Sequence, residues 1–476
     1  MMKQAFCLQD TDPLPLRLFT QISAIPRPSG REGEIAAYLV KFAQENGFAV
    51  YRDAANNVLI RKNATKGRED EPPLLLQAHS DMVAEKNGGV AHDFATDPIR
   101  LLSEGDLLCA DGTTLGADDG FGIALILAAL LEAPSHPALE CLITAGEEVG
   151  MDGAIAFDYS LLRARRMVNL DSDNECEIIV GCCGGLTTAI TLLPKSGAPL
   201  SQALRVRITG LCGGHSGADI HRGRANALSQ MAAWLTALER EMPVAITAIE
   251  GGDKSNASPR ECTALLSVAN AARAKQILAQ TADALRTDCP SPEDSGLCFC
   301  VEDTAVDAAF AVNETRRILR LLSLQTGVIR WRKDGAPQLS RNVAAVKTEQ
   351  GALTLVLSVR SASQTEIDFL RLEADVLAAE LGAASQHSGA YPGWESSADS
   401  ALVRAWQAAA EARGVCAAPT VIHAGLECGL FCEKLPGLTA ISVGCNIHDL
   451  HTPAERMELS SFHRAYRILL HLLATV

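Results

Sequence analysis

The chain has 476 residues, and at about 150 residues per domain that length implies two domains or more. Hydrophobic residues make up 47% and charged residues 21%, a balance that specifies packed cores rather than a disordered chain. Lys plus Arg is 42 against 57 for Asp plus Glu, a net charge of −15 with no dense basic run, which argues against a nucleic-acid or anionic-membrane surface.

In chain order, residues 14–22 and 31–47 carry the apolar spacing of helices, the second stopping at Gly47. Residues 49–61 alternate as a strand does. The run LLLQA follows Pro72-Pro73 and ends in His79-Ser80-Asp81, which reads as a buried strand. A buried helix is predicted at 121–132. Two further buried strands follow, LECLITA (139–145) running into Gly146-Glu147-Glu148, and RMVNL (166–170) running into Asp171-Ser172-Asp173. This alternation predicts an α/β catalytic domain with a mostly parallel sheet flanked by helices.

The character changes after the GCCGG cluster at 181–185. Strands at 186–194 and 203–210, a helix at 225–240, strands near 243–250 and 261–268, a helix at 270–286 and a strand–helix–strand set within 297–360 alternate more and are less apolar. They predict a smaller α+β domain with one solvated face. Beyond YPGW (391–394), a helix (399–413), an apolar strand (438–444) and a closing helix (460–474) return to the first character. The predicted organisation is a catalytic domain at 1–186 and 394–476, interrupted by a lid domain at 187–393. No apolar run reaches the roughly 18 residues of a membrane span, and the first residues lack the apolar core of a signal peptide. The 15 cysteines include no C-x-x-C pair and sit mostly in apolar stretches, so they are expected as buried thiols of a reducing cytoplasm.

Chemistry collects where the strands end. His79 and Asp81, Asp118 and Asp119, Glu147 and Glu148, Asp171 and Asp173, and far downstream His448 and His451 are the candidates. Each alone has a plain alternative: a strand-end turn, a helix cap, a solvated acidic pair, a surface histidine. Acidic residues at three strand ends of one sheet would repel one another unless a cation sat among them, and ligands of such sheets bind beyond the carboxyl ends of the strands. Imidazole with several carboxylates is a ligand mix for divalent ions, and in two-metal hydrolases the ions lie roughly 3.5–4 Å apart.

The strings QAHSDMV (77–83), TTLGADDGFG (113–122), GEEVGMDGA (146–154), NLDSDNECEI (169–178) and HTPAE (451–455) resemble the di-zinc metallopeptidases that include carnosinases, aminoacylases and bacterial carboxypeptidases. GCCGG (181–185), GGHSGADIHRGRANA (213–227), GGDKSNASPRE (251–261), YPGWESSADS (391–400) and HAGLECGLF (423–431) are similar to its PepD-type branch, the cytosolic aminoacyl-histidine (Xaa-His) dipeptidases. The resemblance implies that His79, Asp118, Glu148, Asp171 and His451 bind two divalent ions, zinc in the first place with cobalt or manganese as substitutes, and that Asp118 bridges them. It implies Glu147 as general base, Asp81 as the group orienting His79, and His215 as the stabiliser of the oxyanion, often supplied across a dimer interface. It implies that Asn256, Arg360 and Gly425 grip the terminal carboxylate of a short peptide. A cytoplasmic homodimer acting on dipeptides is therefore expected, with no nucleic-acid or membrane partner.

Competing readings are an acylase, deacetylase or tripeptidase of the same family, and a metal-binding protein without catalysis. Two others use different residues. A serine triad would take Ser216 as nucleophile, although the string lacks the last glycine of G-x-S-x-G. A nucleotide site would use Gly120-Phe-Gly122, a fragment of a phosphate-binding loop.

Overall fold

A computed structural model describes residues 4–289, 291–333 and 335–476, and the chain packs as two units. The first comprises the chain up to Cys182, with Trp394–Val421 and Leu426–Val476; the second comprises Cys183–Gly393 and Ile422–Gly425. Residues 422–425, which the sequence groups with the closing catalytic segment, thus pack in the second unit.

The first unit is built on a nine-stranded sheet. Its centre is parallel: Leu74–His79 lies between Leu139–Thr144 and Arg166–Ser172, and Thr439–Gly444 follows on the far side of Arg166–Ser172. Leu74–His79 and Leu139–Thr144 are buried at every position, which is why they read as unbroken apolar runs. The flanks overturn the expectation of a mostly parallel sheet. Ala49–Arg52, Val58–Lys62, Glu177–Cys182 and Trp394–Glu395 all pair antiparallel. The connections at 53–57 and 173–176 are too short for a crossover helix, so the strands they join must reverse direction.

The helices Leu14–Ser23, Ala117–Glu132, Ala401–Glu411 and Leu459–Thr475 bury Phe19, Leu125, Trp406 and Phe462 in one core with Val58, Leu76, Ile143 and Val168 of the sheet. Ala117–Glu132 has no polar face, as a helix enclosed by its neighbours requires.

The second unit is an antiparallel α+β layer. Its sheet runs in the order Cys298–Thr304, Gln202–Thr209, Cys262–Val268, Val244–Gly251, Pro337–Glu349, Ala352–Ser361, Gly184–Leu192, Ala384–Tyr391. The helices Ala227–Glu241, Ala271–Thr287 and Val312–Leu322 contribute Trp234, Leu278 and Ile318 to its core. The helix Gln364–Glu380 and the strand Ala384–Tyr391 carry no strong apolar period and are not among the predicted elements.

All fifteen cysteines are thiols, and burial describes only part of the set. Cys141, Cys262, Cys428 and Cys445 are buried, whereas Cys7, Cys176, Cys212, Cys298 and Cys416 are exposed. No helix among the described residues is long and apolar enough to cross a membrane.

Gly444, at the end of a central parallel strand, marks the tightest backbone approach in this sheet. A Cβ there would strike the Ser172 carbonyl oxygen and come within 3.0 Å of the Phe121 ring. Because the obstacle is backbone, Gly444→Ala is expected to lower stability by about 3 kcal/mol, read as a drop in the denaturant midpoint with an unchanged slope.

Candidate active site

The parallel strands of the first unit deliver their side chains at their carboxyl ends. His79 closes Leu74–His79, Glu147 and Glu148 follow Leu139–Thr144, and Asp171 lies near the end of Arg166–Ser172. Asp118 enters from the turn that opens the helix Ala117–Glu132, and His451 from the loop after Ile447–His448.

Asp118 is the centre of the cluster. Its Oδ1 lies 2.8 Å from His79 Nε2 and its Oδ2 lies 3.1 Å from His451 Nε2. Glu148 Oε1 is 3.0 Å from the same His451 nitrogen, and Asp171 Oδ1 is 3.7 Å from His79 Nε2. The structure separates the two adjacent aspartates by role. Asp119 Oδ1 accepts from the Gly122 N–H (3.0 Å), the helix-capping bond that the Asp-Asp-Gly string suggests, and its Oδ2 accepts from the His79 N–H (3.1 Å). Asp118 is left to face the imidazoles. His451 projects from a backbone φ of 61°, the left-handed region that side-chain-bearing residues seldom occupy. His448 stands apart, its Nε2 2.9 Å from Glu458.

Asp81 is buried behind His79, with Oδ1 3.4 Å from His79 Nδ1. Its oxygens also accept from Ser29 Oγ (2.8 Å) and from the N–H groups of Glu147 (3.0 Å) and Glu148 (3.2 Å), so one carboxylate ties the His79 strand to the Glu147-Glu148 turn. Burial pushes Asp81 up, but the attraction of the nearby His79 ring and the bonds from Ser29 and the Glu147 N–H prevail and hold it at about 2.

Three supports were not singled out in the sequence. Glu455 takes the N–H groups of Leu115 (2.7 Å), Gly116 (3.0 Å) and Ala117 (2.8 Å) on its two oxygens and so fixes the turn that presents Asp118. Arg27, fully buried, donates to the carbonyls of Ser80 (3.0 Å), Asp81 (2.9 Å) and Gly116 (2.5 Å). Glu427 accepts from Gln77 Nε2 (2.5 Å) and Thr144 Oγ1 (2.7 Å), and burial raises it to about 8. Glu455 and Glu427 sit inside the HTPAE and HAGLECGLF strings, so a signal was present; Arg27 carried none.

The charges of the site do not balance by themselves. Burial, then the charges of Asp118 and Glu148, raise Asp171 to about 6, and burial and Asp118 raise Glu148. Glu147 is driven well up by burial and by Asp171, Glu148 and Glu427, against the opposing pull of His79. His79 and His451 move the other way: burial lowers them, but the carboxylates around them win, taking His451 to about 11. Among the described residues no Lys or Arg forms an ion pair with Asp118, Glu148 or Asp171. His79, Asp118 and Glu148 present ligand atoms within 4.8 Å of one another, and so do His79, Asp119 and Asp171. Imidazole nitrogens and carboxylate oxygens converging within this distance fit a divalent metal.

The second unit holds the other predicted residues. His215 lies on the short strand Gly214–His215, paired with Ala257–Ser258. Its Nδ1 accepts from the N–H groups of Gly217 (3.3 Å) and Ala218 (3.0 Å), which puts the ring proton on Nε2. Ser216 N–H donates to the Asn256 carbonyl (2.7 Å), joining those two strings. Ser216 Oγ is buried without a hydrogen-bond partner, so no serine–histidine pair forms. Gly120 and Gly122 are equally unsuited to a phosphate: a Cβ at Gly120 would lie 2.7 Å from Arg27, and Gly122 is pressed against Asp119 and the Leu170 carbonyl.

Arg360 is 9% exposed. Its Nη1 donates to the Tyr391 hydroxyl (2.5 Å), its Nε is buried with no acceptor, and no described carboxylate pairs with it. A Cβ on Gly425 would lie 2.6 Å from the Tyr391 ring. His423 bridges Cys183 Sγ (2.9 Å) and Ser340 Oγ (2.7 Å); burial, with the charge of Arg360, lowers it to about 4.

Comparison with known proteins follows the same lines. Residues 206–293 match the model of a peptidase dimerisation domain. The chain is 36% identical to the cytosol non-specific dipeptidase of Escherichia coli (strain K12), over 98% of this chain and 99% of that one. The crystal structure of aminoacylhistidine dipeptidase from Vibrio alginolyticus superposes with a TM-score of 0.83 at 34% identity, covering 98% and 97% of the two chains. Aminopeptidase PepT from Bacillus cereus shares the fold at 16% identity, with a TM-score of 0.56 and 97% of both chains covered.

Two outcomes are expected of this site. Because the surrounding carboxylates push both imidazoles up, a divalent ion entering the metal-free protein is expected to displace protons. Its affinity should rise with pH, and titration calorimetry in buffers of different ionisation enthalpy should report proton release. Glu455→Ala, which strips three N–H groups of their acceptor, should cost roughly 10–100-fold in metal affinity with the fold retained, read by chelator competition and circular dichroism.

Proposed function

The chain belongs to the M20 family of metallopeptidases and hydrolyses dipeptides with divalent metal, and on that premise we propose a division of labour among its residues. His79, Asp118, Glu148, Asp171 and His451 would hold two divalent ions, zinc by preference. When bound, the ions supply Lewis acidity to the scissile carbonyl and to the attacking water. The observation that carries this reading is Asp118 itself, a single carboxylate spanning the Nε2 atoms of His79 and His451.

Glu147 takes the proton of the water and returns it to the leaving amine. A carboxylate whose pKa is raised by burial and by neighbouring negative charge suits a group that must hold a proton between two steps. Asp81 keeps the His79 ring in place through its Nδ1 side and, through the N–H groups of residues 147 and 148, keeps the base in register with it. His215, protonated on Nε2 because Nδ1 is occupied by backbone donors, donates to the developing oxyanion. In a homodimer joined through the inserted domain, a second copy supplies this group.

Arg360, Asn256 and Gly425 receive the free carboxylate of the substrate. A nearly buried guanidinium that pairs with no carboxylate among the described residues supports that role. A cytosolic setting is in keeping with the named location of the Escherichia coli relative. The substrates are Xaa-His dipeptides together with other dipeptides.

The test is hydrolysis of a panel of Xaa-His and other dipeptides before chelation, after it, and after return of zinc, cobalt or manganese. Cleavage should vanish with chelator and return with metal. Cleavage confined to N-acyl amino acids or tripeptides would move the chain to an acylase or tripeptidase role. Glu147→Ala should bind metal normally and lose turnover by roughly a thousandfold or more; loss of metal in that variant would remove Glu147 from the role of base.

A further inference from the structure

Tyr391 has no part in the assignments above, yet the second unit is arranged around it. Three neighbouring antiparallel strands place Arg360, Gly185 and Tyr391 in one cross-strand row, with the glycine in the middle. The two large side chains meet over it: Arg360 Nη1 donates to the Tyr391 hydroxyl (2.5 Å). A Cβ at position 185 would fall 2.5 Å from both Cζ and the hydroxyl oxygen, so only glycine leaves room for the phenol. The ring also lies against Gly425, where a Cβ would come within 2.6 Å. The segment bearing Gly425 is itself held, since the Cys183 N–H donates to the Ala424 carbonyl (3.0 Å) and the His423 ring is pinned between Cys183 and Ser340. Tyr391 is thus fixed between two glycines with its hydroxyl on the guanidinium.

A guanidinium recognises a carboxylate through a fork of two parallel N–H groups. With Nη1 turned to Tyr391, the fork that remains is Nε with Nη2, and Nε is the buried atom that meets no acceptor. We propose that Tyr391 is a positioning residue that holds the Nε–Nη2 edge of Arg360 toward the terminal carboxylate of the substrate, and that this contact sets the preference for peptides with a free C-terminus. The inference rests on the reading of Arg360 as the carboxylate receptor.

The experiment compares each dipeptide with its C-terminally amidated counterpart, using metal-loaded wild type, Tyr391→Phe, Gly185→Ala and Arg360→Gln. Tyr391→Phe keeps the ring between its glycines and removes only the hydroxyl. It should raise KM for the free dipeptide about tenfold, as expected for loss of one hydrogen bond to a charged group, with kcat little changed and the amide hardly affected. The ratio of kcat/KM for acid over amide falls accordingly. Gly185→Ala, which keeps the hydroxyl but displaces it, should lower the same ratio; if that variant fails to fold, Tyr391→Phe alone decides. Equal loss on acid and amide, or a ratio unchanged in Tyr391→Phe while Arg360→Gln collapses it, would overturn the role of Tyr391 and leave that of Arg360 standing. A ratio unchanged in Arg360→Gln would overturn the carboxylate reading of Arg360, and the role of Tyr391 with it.

Discussion

The first unit is organised around a concentration of buried carboxylates that a single buried guanidinium, Arg27, offsets only in part. Parallel strands ending side by side bring Asp81, Glu147, Glu148 and Asp171 to one edge, and the turn before the helix Ala117–Glu132 adds Asp118 and Asp119. Among the described residues, the side chains that form ion pairs with Asp118 are the imidazoles of His79 and His451, while Arg27 acts on it at longer range. Such an edge is stable with protons or with metal ions, and the raised carboxylates beside the raised imidazoles express that competition. Much of the surrounding structure holds this edge rigid. Arg27 clamps carbonyls from two of the turns, Glu455 cradles the N–H groups of one of them, and Asp81 ties His79 to the glutamate pair.

Rigid backing is what allows one carboxylate to serve two imidazoles. Asp118 could not keep an oxygen on each if its turn were free to rotate, and the Glu455 bonds to three successive N–H groups remove that freedom. The second unit solves a different problem with the same means. Arg360 is nearly buried and has no anionic partner among the described residues, so its orientation depends on neutral groups. Glycine at 185 and 425 makes space for the neighbour that touches it.

The sequence exposed some of these features because the residues concerned lie in short, ordered strings. Buried strands were visible as LLLQA and LECLITA because both faces are covered, so no alternation interrupts them. His451 could be separated from His448 by the Thr-Pro-Ala-Glu that follows it, and the geometry puts His451 on Asp118 and His448 on Glu458. The antiparallel flanks were less legible, since strand direction depends on which strands become neighbours, and Thr439–Gly444 enters the sheet from the far end of the chain. The helix Gln364–Glu380 was missed because it leaves Phe369, Leu372 and Val376 exposed and buries small residues such as Ala374 and Ala378, which blurs its apolar period.

The sequence alone therefore determined the repertoire of this protein: the apolar runs, the polar residues that end them, and the ordered strings that mark an M20 peptidase. These are properties of residues near one another in the chain. Tertiary structure decided which atom of each residue does what. It gave Asp118 to the imidazoles and Asp119 to the helix, recruited Arg27 without any local signal, moved residues 422–425 into the second unit, and brought Tyr391 across Gly185 to Arg360. Apart from the Asp119 cap, which lies within its own string, those assignments depend on contacts between segments tens to hundreds of residues apart, which no spacing within a string can encode.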